Sequence, residues 1–546
     1  MVKRFPLLSW WPALAALVVL LLIVGRSLAW SLQLNDGQLV YALDDAYIHM
    51  SIAKNMAQHG VWGVTQYAYT SASSSPLWTG LLALIYFLIE PLEEIPLLLN
   101  LLFAVGVIFA GERFLRRRQV PALYRFILLI AVVALTPLET LILAGMEHIL
   151  QILLVILFVD EAADFFARPV QPRLTSSASL RLLVLGALLV ATRYEGLFLV
   201  ALFCLLFALR LRLIDALLLG IVSAAPMVIY GLIALANGWE FLPTSLLLKT
   251  SVSQQLAGAS LGELRVYFID QPLGVLADHV MTLPLVASFF LFLFVYEKRR
   301  SPWDGGLALL VAFMGAVYLN VRFVSWPFAG PLGRYEAYLI ALGLLALPAS
   351  VGAFLPRRVT LFSLPAYLIT FIMLLFVLRD VYVRYRTLIF VTPAVTATEN
   401  IYWQQMQMAR FLDAYYPGAV VAANDIGAIN YFADLRLVDL YGLGTIEIAR
   451  AKQSNTYSTE TLRQVTTEQG AQIAVIYEPW YEPYGGVPPE WMLVGRWALP
   501  PEKNVVLGYH EVSFYAIDPL YADPLREHLR EFADQLPESV QIALRE

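Results

Sequence analysis

LLSWWPALAALVVLLLIVGRSLAW, residues Leu7–Trp30, follows Lys3 and Arg4 and is as long as the ~20 apolar residues a helix needs to cross a bilayer. Ser27-Leu28-Ala29 has the small-x-small look of a signal-peptide cleavage site. The length of the run favours a retained membrane anchor instead. Further apolar segments follow at Leu77–Ile89, Ile95–Leu115, Ala122–Leu138, Leu141–Val159, Leu180–Thr192, Leu197–Leu211 and Leu213–Leu235. Four more fall at Met281–Val295, Gly306–Leu319, Tyr338–Leu355 and Leu361–Val377. Over the 546 residues, 59% are hydrophobic and 14% charged, against about 25% charged in an ordinary soluble domain. The mean hydropathy is +0.67. This composition excludes a single water-soluble globule, a disordered chain and a fibrous repeat. A net charge of −5 excludes a basic nucleic-acid binder, and the single cysteine, Cys204, excludes an intrachain disulfide. The sequence therefore predicts a polytopic α-helical membrane protein.

Orientation follows from where Lys and Arg collect. Clusters lie at Lys3-Arg4, Arg116-Arg117-Arg118, Arg168/Arg173/Arg181, Arg210/Arg212, Lys298-Arg299-Arg300 and Arg357-Arg358. Placing all six in the cytoplasm puts Asp44-Asp45, Gly145-Met146-Glu147, Arg193-Tyr194-Glu195, Leu242–Asp278 and Arg322–Arg334 outside. Parity requires one segment not to cross. Leu77–Ile89, short and ending in Glu90…Glu93-Glu94, is read as re-entrant, which leaves about eleven spans and an outer C-terminus. Composition changes after Arg379. Residues 1–379 are expected to form the membrane domain, with a first outer loop at 31–76. Residues 380–546 are expected to form an extracytoplasmic soluble α/β domain. There Trp403–Tyr415 has the pattern of an amphipathic helix and Asn424-Asp425 that of a helix N-cap. Ala419–Ala423, Ile473–Tyr477, Met492–Trp497 and Val505–Ile517 look like strands, and Leu520–Gln535 a closing helix.

Chemistry-bearing residues gather in the outer loops. Asp44 and Asp45 precede an amphipathic helical pattern through Ile48, Ile52, Ala53 and Met56. Either aspartate suits a helix cap, and either suits a general base toward a hydroxyl at the membrane surface. Glu147, Arg193 and Glu195 fit a structural ion cluster as well as a site. Lys249 fits a snorkelling anchor, and Arg334 an interfacial one. The histidines show no metal-ligand spacing and are given no role.

Asp44-Asp45-Ala46-Tyr47-Ile48, a turn with Gly60, and Tyr69-Thr70-Ser71 before Pro76-Leu77-Trp78 resemble the first outer loop of GT-C glycosyltransferases. The likeness is greatest to bacterial integral-membrane enzymes of the arabinofuranosyltransferase and mannosyltransferase type. The link Ser71-Ala72-Ser73-Ser74-Ser75-Pro76 is longer than in many of them. Ala144-Gly145-Met146-Glu147, Thr192-Arg193-Tyr194-Glu195-Gly196, Leu242-Pro243-Thr244 through Lys249, and Gly333-Arg334-Tyr335 resemble further motifs of that family in the same order. Tyr194 stands where the family usually has Pro, and the third motif lacks its Asn. Ala423–Ile429 and Val438–Leu443 resemble a run in the family's outer domain.

The resemblance implies a GT-C fold and an inverting transfer from a polyprenyl-phosphate-linked sugar to a hydroxyl of a glycan, lipid or protein. The sugar is a hexose or a pentose, and the reaction lies on the outer face of the plasma membrane. Asp44 is expected to be the general base, because the helical pattern starts right after the pair and leaves Asp45 to cap it. Arg193, Lys249 and Arg334 are expected to hold the donor phosphate, with Glu147, Glu195 and Tyr335 supporting them. No cofactor is expected, although Asp44 and Asp45 could together hold a divalent metal. The rival readings are a lipid-linked sugar flippase or carrier, and a cell-envelope scaffold without enzymatic activity.

Overall fold

The structure is a computed structural model that describes residues 7–170, 178–248, 261–271, 282–299, 301–324, 332–355 and 393–545. Among the described residues, five helices are long and apolar enough to cross a membrane: Trp11–Leu34, Ile95–Arg117, Leu213–Ala236, Gly305–Phe323 and Ala337–Phe354. Shorter apolar helices stand among them at Pro76–Leu88, Ala122–Leu135, Leu180–Thr192 and Gly196–Leu209. The 13 residues of Pro76–Leu88 reach about 20 Å, less than a hydrocarbon core. One continuous apolar core runs through the bundle from Ala13 to Ala349 and on into the C-terminal domain at Tyr402, Trp403, Ala428 and Tyr431. The expected segments Leu361–Val377 and Arg357-Arg358, and the boundary at 379/380, lie outside the described residues.

The segment expected at Leu141–Val159 is not one helix. Leu138–Leu143 ends at Gly145, and His148–Ala167 starts anew after it. Gly145 has φ +70°, and a Cβ there would lie 2.5 Å from the Tyr41 ring. Only glycine tolerates both the backbone conformation and that approach. The break leaves Glu147 at a helix start inside the bundle.

The C-terminal domain carries one six-stranded sheet. Its strands are β1 (Val420–Ala423), β2 (Arg436–Asp439), β3 (Ile473–Ile476), β4 (Met492–Ala498), β5 (Glu511–Ala516) and β6 (Gln541–Leu544), in the order β2-β1-β3-β5-β4-β6. β1, β2 and β3 run parallel, and the remaining pairs are antiparallel. Alternate side chains face opposite ways along a strand, so each central strand feeds two cores. Val421, Ala423, Ile473 and Val475 pack with Phe411, Trp497, Phe514 and Phe532. Ala422, Ala474 and Ile476 pack on the other face with Val438, Ile448 and Leu462. The result is helix–sheet–helix layering, as the sequence predicts. The helical run Pro393–Tyr415 enters this domain against Trp11–Leu34, where Thr398 Oγ1 lies 2.7 Å from Ser31 Oγ.

Candidate active site

Leu43 is extended, and the helix Asp44–His59 starts directly after it, closing at left-handed Gly60. Both aspartates therefore sit in its first turn, where the helix dipole favours negative charge. This corrects the expectation that the pair precedes the helix. Successive residues on a helix diverge by about 100°, so the two carboxylates leave in different directions.

Asp44 points at the C-terminal domain. Its Oδ2 accepts the Gly427 N–H at 2.8 Å, and its Oδ1 the Ala428 N–H at 2.8 Å. These are unpaired donors at the start of the helix Ala428–Phe432. The N-cap expected from Asn424-Asp425 is thus delivered by Asp44 from the first loop. Asn424 instead accepts the Tyr477 N–H at 2.7 Å, and Asp425 accepts from the Tyr477 hydroxyl at 2.6 Å and Gln405 Nε2 at 2.8 Å. Burial, reinforced by the neighbouring Asp425 carboxylate, raises the Asp44 pKa well above the usual carboxylate range. Burial raises that of Asp425 too.

Asp45 points the other way, into a cavity of about 180 Å³ lined also by Ser74, Met146, Arg193, Tyr194, Glu195, Phe198, Ser245, Leu246, Phe323, Val324, Arg334 and Tyr335. Arg334 donates to Asp45 Oδ2 at 2.8 Å and to the Tyr335 hydroxyl at 3.1 Å. Arg193 donates to Glu147 Oε1 at 2.6 Å and forks onto Glu195 at 2.8 and 3.3 Å. Both guanidinium groups lie over the Tyr335 ring, at 5.4 and 4.9 Å from its centre. One aromatic ring thus holds two cations together. Glu147 is fully buried behind Arg193. Asp44 is absent from the lining, which transfers the cavity-facing role to Asp45. The two carboxylates bond different partners, backbone amides for Asp44 and Arg334 for Asp45.

Of the residues picked out in the sequence, Asp45, Arg193, Glu195, Arg334 and Tyr335 converge on one cavity. Lys249 lies outside the described residues. Sequence reasoning missed Ser74, Ser245, Phe198 and Phe323 as lining residues. The signal available for the two phenylalanines was their place at ends of apolar helices, beside charged motifs.

The chain is a helical bundle with a charged cavity and an α/β domain docked on its first loop. The same fold is seen in the crystal structure of ArnT from Cupriavidus metallidurans bound to undecaprenyl phosphate, at 12% identity and TM-score 0.50, over 91% of this chain and 98% of that one. An oligosaccharyltransferase from Archaeoglobus fulgidus in the apo form is similar at 13% identity and TM-score 0.49, over 97% and 76%. A family model described as a domain of unknown function, DUF8728, matches residues 399–515, within the C-terminal domain. No curated protein matches the chain by sequence.

Proposed function

We propose that the protein is an inverting glycosyltransferase, taking its sugar from a polyprenyl-phosphate donor and passing it to an acceptor hydroxyl on the outer face of the membrane. The observation that carries this reading is the convergence of two carboxylates, Asp45 and Glu195, and two guanidinium groups, Arg193 and Arg334, on one cavity, with Glu195 paired to Arg193. ArnT, which shares the fold, is described as bound to undecaprenyl phosphate. In the proposed step Asp45 takes the proton from the acceptor hydroxyl as its oxygen attacks the anomeric carbon. The bond from that carbon to the phosphate oxygen breaks, and its electron pair leaves with the phosphate. Arg193 and Arg334, held against Tyr335, offset the growing charge. Single displacement inverts the anomeric centre. The apolar wall of Phe198, Leu246, Phe323 and Val324 suits the first units of the prenyl chain.

The test is Asp45→Asn, which keeps shape and removes basicity. Transfer from a panel of polyprenyl-phosphate sugars is expected to fall about 10²–10⁴-fold, with donor binding nearly unchanged. Asp44→Asn, acting at the domain contact, is expected to lower stability more than turnover per folded molecule. Full activity in Asp45→Asn would remove the base assignment.

A further inference from the structure

His49 lies one helical turn beyond Asp45 and is 2% exposed. Its Nδ1 is 2.7 Å from Thr79 Oγ1, which is 2.9 Å from Ser73 Oγ. The Ser73 hydroxyl oxygen in turn accepts the Ser75 N–H at 3.2 Å. On its other side His49 Nε2 faces Glu147 Oε2 at 3.6 Å, and Glu147 Oε1 accepts from Arg193. Glu147 Oε2 is buried with no hydrogen-bond partner among the described residues, so the imidazole edge is the polar group turned toward it.

One proton arrangement satisfies every member of this chain. The Ser73 hydroxyl donates to Thr79, Thr79 donates to Nδ1, and the imidazole proton sits on Nε2 against the carboxylate. Burial lowers the His49 pKa, in keeping with a neutral ring. The two ends of the chain lie on different parts of the cavity. The loop of Ser73 supplies Ser74 to the lining, and Arg193 supplies a cation.

We propose that His49 is a positioning residue that fixes the Arg193 guanidinium through Glu147 and ties it to the Ser71–Ser75 loop through Thr79. The proposal rests on the lipid-phosphate reading of the cavity given above. The probe is undecaprenyl phosphate, whose Kd is measured on the full-length protein in detergent, with the thermal midpoint recorded for each variant. His49→Asn reaches Thr79 but is too short for Glu147, and is expected to weaken binding about fivefold, the size of one hydrogen bond. His49→Gln returns a donor toward Glu147 and is expected to bind within about twofold of the parent. Thr79→Val, which keeps the volume, is expected to weaken binding in the same direction and carries the test if His49→Asn fails to fold. Should the unmodified protein not bind undecaprenyl phosphate, the donor reading itself falls. If it binds, and Arg193→Gln weakens binding while His49→Asn and Thr79→Val do not, the role of His49 alone is overturned. Equal losses in the Asn and Gln variants, tracking their thermal midpoints, would overturn it as well.

Discussion

Gly427→Ala should loosen the contact between the C-terminal domain and the first loop. Gly427 has φ −83° and ψ −87°, so alanine meets no left-handed penalty there and the close contact is the main obstacle. A Cβ there would lie 2.1 Å from the Asp44 carbonyl oxygen and 2.7 Å from its carboxyl carbon, where ordinary contact begins near 3.4 Å. Since 3.4 − 2.1 = 1.3 Å, the loop has to retreat by about that much. Such a shift breaks both 2.8 Å hydrogen bonds from Gly427 and Ala428 to Asp44. With Asp44 protonated at neutral pH, as its raised pKa implies, each bond contributes about 0.5–1.5 kcal/mol. A loss near 2 kcal/mol corresponds to roughly thirtyfold more frequent opening. Hydrogen exchange in detergent should therefore accelerate by that order at Gly427 and Ala428, and the thermal midpoint should fall. Gly80→Ala is the control, because a Cβ there meets nothing within 4 Å and its helix gains about 0.5–1 kcal/mol. Parent-like exchange at Gly427 and Ala428 in the Gly427→Ala protein would show that the contact is not made.

Two further outcomes are expected. The raised pKa values of Asp44 and Asp425 mean that the folded protein holds protons the unfolded chain has released, so stability falls as pH rises from about 3.8 to about 8. Asp425→Asn should flatten that slope, and thermal melts at pH 5 and 8 that show an unchanged slope would contradict it. After Cys204→Ser, a cysteine at Ser454 should react with an impermeant thiol reagent on intact cells, and one at Ser301 should not; the reverse pattern would invert the orientation.

The charged motifs were legible because an apolar chain makes each ionisable residue conspicuous. Glu147, Arg193, Glu195 and Arg334 stood out beside apolar runs, Tyr335 came only with the motif resemblance, and the structure brings them together. Which of Asp44 and Asp45 faces the cavity turned on one detail, whether the helix begins at the pair or after it. Propensity does not fix a boundary to a single residue. The N-cap was misassigned to Asn424-Asp425 because a local rule sees only neighbours in sequence, whereas Asp44 arrives from 383 positions away. β2 and β6 were missed for different reasons. Arg436–Asp439 has too few apolar residues to stand out, and Gln541–Leu544 is an edge strand with alternating exposure. His49 was passed over because a lone histidine carries no spacing signal, although its i+4 relation to Asp45 was there to be read.

The contact between Asp44 and the amides of Gly427 and Ala428 also imposes a timetable. The first loop leaves the ribosome long before its partner exists. At roughly 5–20 residues per second, the 383 intervening residues take on the order of 20–80 s to synthesise. Throughout that interval the nascent helix beginning at Asp44 has no roof, and its carboxylate stays hydrated. Docking of the C-terminal domain on the first loop is therefore a late event in biogenesis. A chain stalled before residue 427 would insert its helices yet leave Asp44 without the two amides that hold it.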